Sequence, residues 1–296
     1  MARDARTGQM GIAVQSRYFA VGADVAWAEP GVGVVATQSF VDPSFGRLGL
    51  QLMRSKVEAT KVLRVLLADD KGAETRQIAM LDASGNVAVH TGSECIEMAG
   101  HQIGDGYAAQ ANLMLADHVW TAMAEAFEEA DGDLGERLMV ALEAAEKRGG
   151  DLRGRQSAAL VVVSGEYTGD HFADYIYNVR VDDSSNPLKE LRRLMVIKRA
   201  ANHAREGWRA TERRDIEGVE AAFTLAEKLV PNDLEMAFWH GVCLSKLGRI
   251  DDALPHFRRA FAGREAYRDL LPRIVEAGIL ATDEDAIKRI LAPPDQ

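Results

Sequence analysis

The sequence predicts an α+β protein: a four-layer αββα sandwich over residues 1–185, then an all-α, tetratricopeptide-like domain over residues 186–296. Three observations predict it. Strand patterns come in adjacent pairs, which favours antiparallel hairpins over a doubly wound parallel sheet. Helical patterns also come in pairs, set between the strand pairs, as covers for the outer faces of two sheets would be. After Asn186-Pro187 the pattern is helical throughout and repeats at about 34 residues.

The elements follow in order. Gly11-Ile12-Ala13-Val14-Gln15-Ser16 reads as a strand, and Gly31 to Gln38 as a second, more buried one rich in β-branched residues. Pro43 opens a helical stretch through Leu48, Leu52 and Met53, and a second runs through Val62, Leu63, Leu66 and Leu67. Gln77–Asp82 and Val87–His90 flank the turn Ala83-Ser84-Gly85-Asn86. Residues 91–112, with four glycines, read as a loop. Helices are expected at about 116–130 and 134–147, split by Asp131-Gly132-Asp133 and ended by Gly149-Gly150. Ser157–Val163 and Asp174–Val181 form the last strand pair.

In the tail, Gly207, Phe223, Ala226 and Pro231 mark a first repeat at about 200–233. Gly241, Ala253, Phe257 and Ala260 take the equivalent slots of a second at about 234–267, with Gly248 at its internal turn. Small residues let paired helices approach and the aromatic fills the gap. Residues of about 268–291 read as closing helices that cap the stack.

Composition narrows the function. The net charge of −10 repels phosphate backbones, so nucleic acid is not an expected partner. The basic residues between Lys198 and Arg214 alternate with Glu206 and Glu212, as on a solvated helix face. No apolar run approaches 18 residues and no signal core follows the N-terminus, so the expectation is a cytoplasmic protein away from membranes. Cys95 and Cys243 stand far apart, as free thiols of a reducing compartment would. No cofactor is expected. Gly104–Gly106 is no dinucleotide fingerprint, and residues 149–157 lack P-loop spacing. No metal is expected either. The seven histidines are dispersed, paired-cysteine and H-E-x-x-H motifs are absent, and only His90 and His101 are placed to converge.

Several segments carry a family resemblance: residues 13–22, 31–38 and 91–96, Ala99-Gly100-His101, residues 104–112 and 149–157, and Arg180-Val181-Asp182-Asp183. In that order, over most of residues 2–195, they resemble the bacterial and archaeal family called domain of unknown function 1028. That family is assigned by fold to the N-terminal-nucleophile hydrolases, and the helical tail extends beyond its core. The resemblance implies the αββα sandwich and, by analogy of fold, amide hydrolysis. Members usually carry a short strand ahead of the Ala2-Arg3-Asp4 position, beginning with a hydroxyl residue. Here Met1 stands there, Ala2 has no nucleophilic atom, and Thr7 is the nearest hydroxyl.

The candidate site residues each admit two roles. Arg17, after Ser16 at a strand end, can clamp a substrate carboxylate or pair with an internal one such as Asp182. Gln38, beside Thr37 and Asp42, can orient a polar substrate or join a turn-capping network. His101, near Asp105 and Tyr107, suits general acid–base chemistry or a structural role. Gln110 and Asn112 share one face at strand spacing, and either can donate to an oxyanion. Arg153 and Arg155 suit anion binding or a salt-bridge lattice with Asp151 or Asp182. Cys95 is a packing thiol or an alternative nucleophile.

Two functions are expected in consequence. The first is hydrolysis of a small amide or ureido compound by an N-terminal nucleophile lying upstream of Met1. Arg17, Gln38, His101, Asn112 and Arg153 would then bind and polarise the substrate. The second is a non-catalytic protein whose sandwich binds a small anion and whose repeats recruit a protein partner or a second copy.

Overall fold

The computed structural model describes residues 1–281 and 283–292. Thr282 and residues 293–296 of the predicted tail lie outside the described residues. The chain divides into two compact units, Met1–Met195 and Val196–Gln296.

In the first unit β1 (Ala2–Arg3), β2 (Met10–Ser16) and a short α1 (Val21–Asp24) lead to β3 (Ala26–Glu29) and β4 (Gly33–Ser39). Helices α2 (Pro43–Arg54) and α3 (Ala59–Ala68) follow. Then come β5 (Arg76–Asp82), β6 (Val87–Thr91), β7 (Gly100–Gly104) and β8 (Tyr107–Ala111). Helices α4 (Val119–Glu129) and α5 (Leu134–Lys147), strand β9 (Ser157–Val163), a one-turn α6 (His171–Asp174) and β10 (Tyr175–Val181) complete the mixed part. Helix α7 (Pro187–Glu212) begins in this unit.

Six strands form one sheet in the order β10-β9-β2-β1-β8-β7, and four form another in the order β3-β4-β5-β6. Every strand pair among the described residues is antiparallel. Three apolar clusters cement the unit. Met10 and Ile12 of β2 meet Val34 and Leu81 between the sheets. Val35, Ile78 and Met80 take the other face of the smaller sheet, against Phe45 and Val62 of α2 and α3. Leu160 and Val162 face Leu138 and Leu142 of α5. This division follows from strand periodicity, which sends alternate residues to opposite faces.

Local signals explain the boundaries. Asp42 accepts from Ser44 N at 2.9 Å with Pro43 at the first helical position, which starts α2. Asp133 caps α5 through Glu136 N at 2.8 Å and also accepts from the Tyr177 hydroxyl at 2.9 Å, tying β10 to that helix.

Four strands differ from the sequence expectation. Residues 92–99 are irregular as expected, but residues 100–111 hold the hairpin of β7 and β8. Gly100 reflects packing, since a Cβ there would lie 2.4 Å from the Trp120 ring, and Gly106 serves the turn at φ +67°. Strand β3 was hidden by its length, and β1 by the two-residue span left after Met1.

The second unit continues α7 and adds α8 (Ile216–Leu229), α9 (Leu234–Lys246), α10 (Ile250–Gly263), α11 (Ala266–Glu276) and α12 (Glu284–Leu291). Gly207 packs against Phe223, and Gly241 against Phe257, where a Cβ would meet the rings at 2.4 and 3.0 Å. Phe223, Phe238, Phe257, Val219 and Ala253 are fully buried together. The turn between α9 and α10 places Gly248 at φ +76°, and Arg214 takes the equivalent turn position between α7 and α8 at φ +58°. A left-handed backbone costs a non-glycine residue about 1–2 kcal/mol. Arg214→Gly is therefore expected to stabilise the unit by roughly 1 kcal/mol after the extra entropy of the unfolded glycine is counted. A urea midpoint that stays level or falls would contradict this.

Candidate functional site

The site begins with a break in the six-stranded sheet. Strand β1 lies between β2 and β8 but is only two residues long. Ala2 pairs with Gly11 on one side and Tyr107 on the other. Met1 N donates to Ala108 O at 2.9 Å, and Ala108 N returns a bond to Met1 O at 3.0 Å. On the far side of Met1, β2 runs on through Ala13–Ser16 and β8 through Ala109–Ala111, with no described strand between them.

A cavity of about 380 Å³ occupies that parting. It passes through the sheet. Leu142 and Ala145 of α5 line it on one face, and Ala36 and Ala79 of the smaller sheet line it on the other. At its floor the Met1 amine is buried, although the residue as a whole is partly exposed. Burial pushes that amine from 8.0 down to about 5, so an amine held there is neutral at pH 7.

Polar groups reach this largely apolar space by strand alternation. Gln38 leaves β4 on the same face as Val34 and Ala36, toward the other sheet. Gln110 leaves β8 on the face opposite Tyr107, Ala109 and Ala111, which pack into the α4–α5 cluster. Asn112 follows Gln110 on that face and also lines the cavity. Gln38 Nε2 donates to Gln77 Oε1 at 2.7 Å, and Asn112 Nδ2 donates to the same oxygen at 3.1 Å. Both amide carbonyls are thereby turned away from Gln77. The Gln110 amide is buried, and neither its nitrogen nor its oxygen has a hydrogen-bond partner among the described residues. A buried amide without partners costs free energy that a polar ligand would recover.

Gln77 is the organiser that sequence reasoning missed. It is wholly buried. Its Nε2 donates to Thr91 Oγ1 at 2.9 Å, Gly100 O at 3.2 Å and Ala111 O at 2.9 Å. Thr91 Oγ1 in turn lies 2.9 Å from His101 Nδ1. The available signal was a glutamine heading the buried run Ile78-Ala79-Met80-Leu81.

At the mouth, Arg153 donates to Asp151 at 2.7 and 3.0 Å and to Ser16 Oγ at 3.4 Å. Burial pushes the Asp151 carboxyl up, but Arg153 and the backbone amides of Arg17 and Arg153 outweigh it and hold the pKa below 3.8. A carboxylate depressed on folding contributes stability above its unfolded pKa and loses it as pH falls through the folded one. The 149–157 segment is therefore expected to loosen as pH drops below the unfolded value of about 4 and through the lower folded one, and Asp151→Asn should flatten that dependence. Urea midpoints at neutral and acid pH measure the difference, and equal slopes in both proteins would refute it.

Of the predicted residues, Ser16, Gln38, Gln110, Asn112 and Arg153 line the cavity, while Arg17, His101 and Asp182 are not among its lining residues. Arg17 bonds Gln156 rather than Asp182, its backbone N–H donating to Asp151 at 3.0 Å. Asp182 pairs with Arg180 at 2.9 Å. His101 sits exposed at the sheet edge and reaches the site only through Thr91 and Gln77. Partial burial, then the charge of His90, lowers its pKa. His90 itself bonds Ala73 O at 2.8 Å. Thr37 serves the turn, donating to Asp42 O at 3.1 Å, so the two roles weighed for this strand end divide between Thr37 and Gln38. Cys95 Sγ contacts Arg76 O at 3.3 Å, outside the cavity lining.

Residues 1–191 match the family described as "Family of unknown function (DUF1028)", and the chain belongs to that family. The crystal structure of protein SPO2555 from Silicibacter pomeroyi, of the same family, is similar at a TM-score of 0.59 and 30% identity, covering 65% of this chain and 81% of that one. No curated protein matches the chain. No helix among the described residues is long and apolar enough to cross a membrane.

Proposed function

We propose that the first unit is an N-terminal-nucleophile hydrolase acting on a small amide or ureido compound. The observation that carries this reading is the parting of the sheet ahead of Met1, with Gln110, whose buried amide is unpartnered among the described residues, in its lining. Residues preceding Met1 would continue β1 into the slot between β2 and β8. A hydroxyl or thiol residue at their head would stand among Ser16, Gln38, Gln110 and Asn112.

The chemistry follows from those groups. The leading residue's α-amine takes the proton of its own hydroxyl, and the oxygen adds to the substrate carbonyl. Gln110 Nε2 and the second N–H of Asn112 are free to donate to the oxyanion. Collapse breaks the C–N bond, the leaving nitrogen takes the proton from the α-amine, and water then hydrolyses the ester to release the acid. Guanidinium N–H groups of Arg153 not used by Asp151 are placed to hold a substrate carboxylate at the mouth. Intact mass of protein from its natural source, with a hydrolysis screen over amides and ureides, tests the reading. A native chain beginning at Met1 or Ala2 that turns over none of them refutes it.

The helical unit is read as two tetratricopeptide-like repeats, on the matching Gly207–Phe223 and Gly241–Phe257 contacts. Such units serve contacts with peptides or a second copy, which light scattering of the intact chain across concentration would detect.

A further inference from the structure

We propose that the helical unit binds one divalent transition-metal ion of the zinc class between Glu220 of α8, His240 of α9 and His256 of α10. The residues are far apart in sequence, but helix packing brings one ligand atom from each within 4.8 Å of the others. His240 Nε2 lies 3.3 Å from Glu220 Oε2. Two ligands of a tetrahedral zinc ion, at 2.0–2.1 Å each, stand about 3.4 Å apart.

The hydrogen-bond chemistry points the same way. Glu227 Oε1 lies 2.8 Å from His240 Nδ1, and a carboxylate there can only accept, so Nδ1 carries a proton. In the neutral ring, Nε2 then presents a lone pair. That nitrogen is buried in a side chain only 1% exposed, has no hydrogen-bond partner among the described residues, and faces a second carboxylate. Two acceptors face to face call for a cation between them. The His256 ring packs on the His240 ring, centroid to centroid 3.8 Å, and supplies a second imidazole.

Around these three the site has the support a metal centre uses. Glu227 orients His240 from behind, as the carboxylate of a carboxylate–histidine–metal triad does, and is itself held by Arg259 at 2.5 Å. Phe223 stacks on the His240 ring at 4.9 Å and fixes its plane. Glu220 is 45% exposed and His256 24%, which leaves a path for the ion and a position for water. Two imidazoles, one carboxylate and an open position suit zinc over calcium or magnesium.

The test uses full-length protein without a histidine tag, stripped with chelator. Titration with cobalt(II) should give the visible bands of a tetrahedral site at one ion per chain, and zinc should displace it. Glu220→Gln and His256→Gln should each abolish those bands, and Glu227→Gln should weaken binding roughly 10–100-fold. His101→Gln should leave binding unchanged. Melting in chelator reports whether each variant folds, and zinc should raise the melting temperature of the parent but not of Glu220→Gln. The proposal is overturned if the folded parent binds neither ion in the presence of excess magnesium, or if Glu220→Gln binds as well as the parent. It is equally overturned if nitrogen NMR shows His240 doubly protonated with zinc present, the cation then being a proton.

Discussion

Replacing Gln77 by leucine is expected to destabilise the first unit by about 3–5 kcal/mol. The size follows from what is stranded. Gly100 O and Ala111 O each lose a donor inside the protein, and a buried acceptor left unmet costs roughly 1–3 kcal/mol. Gln38 and Asn112 lose their shared acceptor, and Thr91 loses the amide that donates to it. Leucine keeps the volume, so little of the loss is cavity. Gln77→Glu should be equally harmful at neutral pH, because a carboxylate would face two carbonyl oxygens. Its folded pKa would be raised. The stability recovered on protonation is thus fully present below the unfolded value of about 4.3 and lost as pH rises through the folded one. Urea unfolding at acid and neutral pH reads both variants. A loss under about 1 kcal/mol for leucine would show that water replaces the network.

Gln110→Leu should do the opposite to stability and a great deal to activity. The Gln110 amide makes no hydrogen bond among the described residues, so removing it should leave the melting temperature level or raise it. On whichever amide or ureide the protein hydrolyses, kcat should fall about 10²–10³-fold, the usual loss of one oxyanion donor. Gln110→Glu keeps the shape but removes the donor, and should fall as far. Unchanged turnover in both variants would remove Gln110 from the chemistry. A lower melting temperature in Gln110→Leu would mean that the amide is bound within the protein after all.

How far the sequence spoke depends on how local each determinant was. Strand β9 was legible because Ser157–Val163 is an unbroken apolar run, and α5 because Asp133 and Gly149-Gly150 bracket it. The hairpin of β7 and β8 was not, because Gly100 is demanded by Trp120, twenty residues on and in another layer. Ser16, Gln38, Gln110, Asn112 and Arg153 were picked out as polar residues at strand ends or in a polar loop, and all five border one cavity. Gln77 escaped because its partners come from β4, β6, β7 and β8 and their flanks. The approach of His240 to His256 escaped for a similar reason, since only the antiparallel packing of α9 and α10 joins two histidines that look scattered in the text.

Because Met1 sits mid-sheet and not on a rim, protein engineering meets an unusual constraint there. An affinity tag fused directly to Met1 must thread the crevice or prise β2 from β8. Preparations tagged directly at Met1 should consequently show poorer yield or altered ligand uptake than untagged ones.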